Sequence, residues 1–155
     1  VVDGDSQHIF SEIRRVYDKN KGKVVVPERE KRVIFLSDSE ISRVTLEDIE
    51  NTFLRVKYDC RLKDPQPGLF MILNKHVLDK LDFGGVEPWI GDAAFLSQMY
   101  KRKVKIASPK INVRSQTTTS LNLDIVFRGI VELEKYFSIS FFDIINMLKK
   151  RPEQY

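Results

Sequence analysis

Apolar residues spaced three and four positions apart mark both ends of the chain, and this spacing places side chains on one face of an α-helix. Near the N-terminus it predicts a helix over about residues 7–17, which Ser6 would cap. Near the C-terminus it predicts a helical pair. The apolar stripe of the first helix is Leu123, Val126, Phe127, Ile130 and Val131, and that of the second is Phe141, Ile144, Ile145 and Leu148. We expect Phe127 and Phe141 to be buried against the body of the domain.

Shorter stretches have the pattern of β-strands. Two β-branched runs, at residues 23–26 and 32–36, indicate strands that pair or lie close together. Residues 52–58 alternate in character, as a half-buried strand does. Thr45 and Asp48 are spaced to begin a short helix just before that strand.

The central part of the chain continues this mixed pattern. The apolar run 69–73 predicts a buried strand, and Asn74 is placed to cap the short helix that follows. Three glycines and a proline in residues 82–92 predict an irregular loop, after which Asp92 would cap the next helix. Residues 103–107 alternate as an exposed edge strand does.

Together these elements predict an α+β fold, with mixed strands in the N-terminal and central part and a C-terminal helical pair. The length of 155 residues suits one domain, which we expect over residues 1–155 with a flexible loop at residues 108–120. Because the chain opens on Val1 rather than Met, we expect it to be a segment of a longer protein. Its apolar runs are far shorter than the roughly 20 residues of a membrane-spanning helix, so we expect no membrane span. The single cysteine, Cys60, favours a reducing, intracellular compartment.

The distribution of charge adds a candidate binding site. The net charge is +4, with a pI near 9.1, but the charged side chains between residues 93 and 123 are all basic. They are Lys101, Arg102, Lys103, Lys105, Lys110 and Arg114. A field of one sign attracts phosphate groups or an acidic protein surface.

These basic residues predict contacts with a nucleic acid, or with the acidic surface of a protein or nucleosome. An extended backbone would place Lys101, Lys103 and Lys105 on one face, where they can contact successive phosphates. Only Tyr100 is at hand to stack on a base, which disfavours a dedicated single-strand binder. The sequence KRKVK is similar to a short nuclear localisation signal. The alternative is a solvated edge strand and loop without a partner.

In residues 29–56 a basic-flanked apolar run ends at Phe35, Leu36 and Ser37, and Ile41, Leu46, Ile49 and Val56 follow it. With these residues the stretch resembles the middle of a bromo-adjacent homology (BAH) domain. The resemblance implies a chromatin module, since several such domains bind nucleosomes or methylated histone tails. The chain departs from the family where Asn51, Thr52 and Phe53 replace the usual Gly-Lys-Cys, and none of the family's cage residues can be assigned here. The alternative is a strand, a turn and a strand of an unrelated domain.

Three carboxylates suggest a catalytic alternative. Asp3, Asp5 and Asp38 follow short β-branched or apolar runs, and carboxylates at strand ends can hold Mg²⁺ against a phosphodiester. Such a site would be nuclease-like, loosely similar to PIN or NYN folds, although the same residues are typical of ordinary turns. His8 and His76 lack partners at zinc-ligand spacing. For a non-enzymatic interaction module, which is the interpretation that we favour, we predict no metal site, no cofactor and no catalytic residues.

The one tryptophan, Trp89, lies in the glycine-rich loop. It would either form a wall of a ligand or methyl-lysine site through cation–π attraction, or plug the core beneath its own loop.

The sequence thus predicts a non-enzymatic chromatin- or nucleic-acid-associated interaction module with a basic surface, located in the nucleus. Two alternatives remain open: the metal-dependent nuclease-like domain that uses Asp3, Asp5 and Asp38, and a structural protein–protein interaction domain whose C-terminal helices dock a partner. The sequence makes no prediction of the oligomeric state.

Overall fold

Helices dominate the chain. A computed structural model describes residues 9–30, 38–64, 74–82, 84–113 and 122–150, and of residues 38–44 the backbone alone. The helices are α1 (Phe10–Lys19), α2 (Asp38–Tyr58), α3 (Lys75–Leu78), α4 (Gly91–Lys101), α5 (Leu123–Phe137) and α6 (Phe141–Lys150), with a 3₁₀ turn at Pro88–Ile90. The strands are β1 (Val24–Val25), β2 (Glu28–Arg29), β3 (Ile106–Ala107) and β4 (Lys110–Ile111). The mixed α+β class is confirmed, in a helix-rich form.

The strands form one short parallel ribbon in two pieces. Strand β1 pairs with β3, so that Val24 lies opposite Ile106, and β2 pairs with β4, so that Glu28 lies opposite Lys110. Pro27 and Pro109 lie between the pieces, and a proline has no N–H to donate to a ladder. The two short strand pairs therefore cannot join into one continuous hydrogen-bonded ladder.

The predicted strand at 23–26 is confirmed in its centre by β1. Strand β4 lies within residues 108–120, which were expected to form a flexible loop. The predicted strands at 32–36 and 69–73 lie outside the described residues.

Helix α2 runs through two elements that the sequence assigned differently. Its 21 residues include Thr45, which was expected to begin a short helix, and residues 52–58, which were expected to form a strand. Phe53 and Leu54 are both fully buried. A half-buried strand buries only one of two neighbouring side chains, because they point to opposite faces. A helix that contacts other elements on several sides can bury both. The strand prediction is wrong for this reason.

Helix α5 packs closely on α2. A Cβ atom at Gly129 would lie only 2.6 Å from Cδ1 of Leu46, so the glycine lets the two helices approach. The side of α5 that faces the core carries Val126, Leu133 and Phe137, all buried. Phe127 is 65% exposed, so the prediction that it is buried is wrong.

The exposure of Phe127 follows from helix geometry. Successive residues on a helix are about 100° apart, and burial of Val126 turns the next residue out of the core. Phe141 is partly buried, and its ring stacks on that of Phe53 with the centroids 6.3 Å apart. Phe141 thus packs against the body of the domain as expected, but it is only partly buried.

The arginine of β2 joins the ribbon to the middle of α2 and to the segment that follows this helix. Arg29 in β2 donates from Nε to Asp64 Oδ2 (2.6 Å) and from Nη2 to Asp64 Oδ1 (2.8 Å) and Glu47 Oε2 (3.0 Å). Burial opposes its charge, but the hydrogen bonds that Arg29 donates to Asp64 and the negative charge of the nearby Glu47 outweigh it and raise the pKa of Arg29. The three side chains are 5–12% exposed, so the ion pairs are largely shielded from water.

Among the helices described, none has the length and apolar character that crossing a membrane requires.

Candidate functional site

The candidate basic residues begin at the C-terminus of α4, which ends in a Schellman motif. The N–H of Lys103 donates to the carbonyl of Tyr100 (2.9 Å), and the N–H of Val104 donates to that of Met99 (3.0 Å). Lys103 has a φ of 54°, at the position where glycine is usual. Lys101 is thus helical, Lys103 is left-handed, and extended structure begins only at Ile106. The predicted strand at 103–107, with Lys101, Lys103 and Lys105 on one face, is wrong except at its end.

The helical turn carries Lys101 to two tyrosines. Its Nζ lies 6.0 Å from the ring centroid of Tyr58 and 5.9 Å from that of Tyr136. Tyr58 ends α2 and Tyr136 lies in the last turn of α5, so three helix C-termini meet here. Helix C-termini carry partial negative charge, which an ammonium group complements.

Tyr100 completes this aromatic contact. Its ring stacks on that of Tyr58, with the centroids 6.5 Å apart. Burial raises the pKa of the Tyr100 phenol, and a hydrogen bond with the Cys60 thiol raises it further. The Cys60 thiol is itself buried. The Tyr100 phenol therefore stays protonated, and Lys101 is the charged side chain of this aromatic contact.

The pairing of β1 with β3 brings one further lysine, Lys23, beside the basic residues of this segment. The register that sets Val24 opposite Ile106 puts Lys23 beside Lys105, one residue before the paired positions. We call Lys23, Lys101, Arg102, Lys103 and Lys105 the basic cluster, and all five are exposed. Arg102 donates from Nη1 to the carbonyl of Gln98 (3.2 Å). No carboxylate in the described ranges lies within ion-pair distance of any member.

Lys110 belongs to a different environment. It lies in β4, five extended residues beyond Lys105, or roughly 15 Å away. Its carbonyl accepts from Arg15 Nη2 (2.9 Å), and the same guanidinium pairs with Glu12 (2.7 Å). The hydrogen bond from Arg15 lowers the pKa of Glu12, so a carboxylate charge is present beside this strand. Arg114 lies outside the described residues.

Trp89 occupies the 3₁₀ turn before α4. The loop is anchored by Gln98, whose side-chain amide accepts from the N–H of Asp82 (2.8 Å) and donates to its carbonyl (2.7 Å). Ile90 is the residue of the turn that fills the core, whereas Trp89 is 43% exposed. Trp89 therefore does not plug the core. Helix α4 begins at Gly91, so Asp92 lies in its first turn rather than at its N-cap.

A groove of about 390 Å³ runs beside Trp89. Its apolar lining consists of Trp89, Ile90, Phe127 and Val131, and its charged lining of Glu87, Arg128 and Glu132. Trp89 thus forms one wall of a groove, although its neighbours do not form an aromatic cage around a cation.

The catalytic alternative falls mostly outside the described residues. Asp3, Asp5 and His8 are not described, and Asp38 begins α2 with its side chain undescribed. His76 is exposed, with Nε2 2.8 Å from Lys80 Nζ. Within the described ranges, no three side chains of His, Cys, Asp or Glu are grouped to hold a metal ion.

The sequence alone did not reveal Tyr58, Tyr136 and Lys23 as neighbours of the basic residues. Tyr58 and Tyr136 each lie in the last turn of a helix, and Lys23 precedes a strand. Recognition of residues 52–58 as helical would have placed Tyr58 at a helix end. The pairing of β1 with β3 has no local signal, because it joins positions about 80 residues apart.

The resemblance to BAH domains stays a hypothesis. The part of it that the structure describes from residue 38 onward lies in the single helix α2, and residues 31–37 are not described. No protein-family model, curated protein or solved structure matches this chain at a significant level.

Proposed function

We propose that this chain is a non-enzymatic module of a nuclear, chromatin- or nucleic-acid-associated protein, and that its basic cluster binds the phosphate backbone of a nucleic acid. One observation carries the proposal. Residues 101–105 carry four exposed cations, the register of β1 and β3 sets Lys23 beside Lys105, and no described carboxylate lies within ion-pair distance of any of the five.

Unneutralised cations favour an anionic partner for two reasons. Cations held close together repel each other, and a bound phosphate relieves that repulsion. Phosphate contacts also release the counterions condensed on a nucleic acid, which is the main source of sequence-independent affinity.

The position of Lys101 supports the same proposal. A free lysine side chain loses up to about 2 kcal/mol of rotamer entropy when it is immobilised by a ligand. Contact with Tyr58 and Tyr136 already restricts Lys101, so less entropy is lost on binding. The backbone of Lys103 is likewise held by the Schellman hydrogen bonds.

An acidic protein or nucleosome surface would use the same cations, and salt dependence separates the two partners. We expect duplex binding whose log–log salt slope changes by about 0.9 for each phosphate contact. Replacing Lys101, Lys103 and Lys105 by Gln together should reduce the magnitude of the slope by two or three units and leave any sequence preference unchanged.

A matched variant controls for net charge. Lys75, Lys149 and Lys150 are exposed lysines of α3 and the end of α6, so their joint replacement by Gln removes the same charge elsewhere. The control should keep the wild-type salt slope and lose only a little affinity at every salt concentration. Equal slopes for wild type and the cluster variant, with both proteins folded by circular dichroism, would overturn the proposal. Wild type that binds an acidic protein but no duplex would reassign the cluster to a protein partner.

The nuclease-like alternative has its own test. Mg²⁺-stimulated cleavage of a nucleic acid that is lost in Asp38→Asn would replace the binding proposal by a catalytic one. Binding without cleavage, with Asp38→Asn indistinguishable from wild type, is the result that we expect.

A further inference from the structure

Helix α5 carries an apolar stripe on its outer side. Leu123, Phe127 and Val131 are spaced four residues apart and are 63%, 65% and 47% exposed. The opposite side of the helix already fills the core through Val126, Leu133 and Phe137. The exposed stripe is therefore additional to what the fold of this domain requires.

Trp89 widens this apolar surface. It lines the same groove of about 390 Å³ as Phe127, Arg128 and Val131. Contiguous exposed apolar surface of this kind is uncommon on monomers and marks sites of protein association.

Charges beside the stripe indicate which partner covers it. Asp124 and Arg128 each follow a stripe residue by one position, so they lie on the same flank of α5. Both are exposed, and they form no ion pair with each other although they are one turn apart. By contrast, Glu132 on the next turn is paired with Lys135 (2.6 Å). If the same flank of a second copy lies against this one, the acid of each copy can form an ion pair with the base of the other.

We propose that α5 pairs antiparallel with α5 of a second copy of this chain, about a twofold axis near Phe127. This arrangement sets Phe127 against its own counterpart and Leu123 against Val131 of the second copy. It also brings Asp124 of each copy towards Arg128 of the other, so that two ion pairs form between the copies. In a parallel pairing the identical flanks would lie on opposite sides of the helix pair, so Asp124 of one copy would not meet Arg128 of the other and these ion pairs would not form.

The extent of the surface sets the strength of the association. Four partly exposed apolar side chains offer less than the roughly 800 Å² per partner of a standard interface. We therefore expect a dimer with a Kd in the micromolar range or weaker, which dissociates on dilution. This proposal does not depend on nucleic-acid binding by the basic cluster.

Sedimentation velocity over a range from low micromolar to about 1 mM protein tests the proposal. We expect concentration-dependent dimerisation of wild type and none for Phe127→Glu. Because Phe127 is 65% exposed, the variant should fold and melt as wild type does. Phe142→Glu is the matched control: Phe142 is 71% exposed on α6, outside the stripe, and its replacement should leave the dimer intact.

A charge exchange tests the antiparallel arrangement. Asp124→Arg and Arg128→Asp should each weaken dimerisation by about tenfold, because each single change opposes like charges across the twofold axis. The double variant should restore the wild-type Kd. Wild type that is monomeric at all concentrations would overturn the proposal, as would a Phe127→Glu protein that dimerises normally. Failure of the double variant to restore dimerisation would overturn the antiparallel register.

Discussion

Gly129 faces Leu46 so closely that a Cβ atom on the glycine would lie 2.6 Å from Cδ1 of the leucine. This contact sets the approach of α5 to α2, the two longest helices. Leu46 is buried, so its side chain has little room to move away.

We expect Gly129→Ala to destabilise the protein. Overpacking against Leu46 costs about 1–3 kcal/mol, which outweighs the gain of at most about 1 kcal/mol from replacing a helical glycine. Urea unfolding measures the difference. In a Leu46→Ala background the clash is absent, and the same substitution should be stabilising. An unchanged effect in the two backgrounds would show that Leu46 does not limit the approach of the helices.

Removal of the charged group of Arg29 should cost far more than removal of a surface cation. Arg29→Met leaves Asp64 buried without its partner, and breaking a buried ion pair in this way costs about 3–5 kcal/mol. The control is Arg61→Met, whose pair with Asp59 has side chains 87% and 72% exposed and should contribute little. Similar unfolding midpoints for both variants would contradict the structural role of Arg29.

Lys103→Gly should separate stability from binding. Left-handed backbone costs a non-glycine residue about 1–2 kcal/mol, and the greater chain entropy of glycine cancels about 0.5–1 kcal/mol of the gain. We expect a net stabilisation of up to about 1 kcal/mol, together with a smaller salt slope for nucleic-acid binding because a cluster cation is lost. Lys101→Gly is the control, since Lys101 is helical and its replacement should destabilise. Destabilisation by Lys103→Gly would contradict the Schellman geometry.

The raised pKa of Tyr100 predicts a loss of stability at alkaline pH. Burial, assisted by the Cys60 thiol, keeps the folded-state phenol protonated above its ordinary pKa of 10.0. The folded state then holds a proton that the unfolded state releases, so this stabilisation is complete below pH 10 and falls as the pH rises above it.

Tyrosinate absorbance and unfolding measured against pH test this expectation. Tyr100 should ionise only at a pH well above its ordinary pKa, or as the protein unfolds. Tyr100→Phe should abolish that step and flatten the alkaline fall in stability. Tyr17→Phe, which alters an exposed tyrosine, should leave both unchanged. A Tyr100 that titrates near its ordinary pKa in the folded protein would contradict its burial.

Local signals in the sequence identified those elements whose hydrogen bonds close within a few residues. Asn74 caps α3 by accepting from the N–H of Val77 (2.9 Å), as predicted. Helix α1 spans Phe10–Lys19, close to the expected 7–17, and the C-terminal helical pair is present. The strand prediction at residues 52–58 failed because a short alternation of apolar and charged residues also fits two turns of a helix that contacts other elements on several sides.

What the sequence by itself determined is the α+β class, the cap at Asn74, the C-terminal helical pair, and the concentration of cations around the end of α4. These depend on side-chain spacing and on backbone conformations that each residue favours locally. Only the tertiary structure decided which side of α5 faces the core, and hence that Phe127 is exposed. It also decided that Lys101 meets Tyr58 and Tyr136, and that Lys23 lies beside Lys105. These relations join residues far apart in the chain, and they follow from how the helices and the ribbon bury their apolar surface together, which no local pattern encodes.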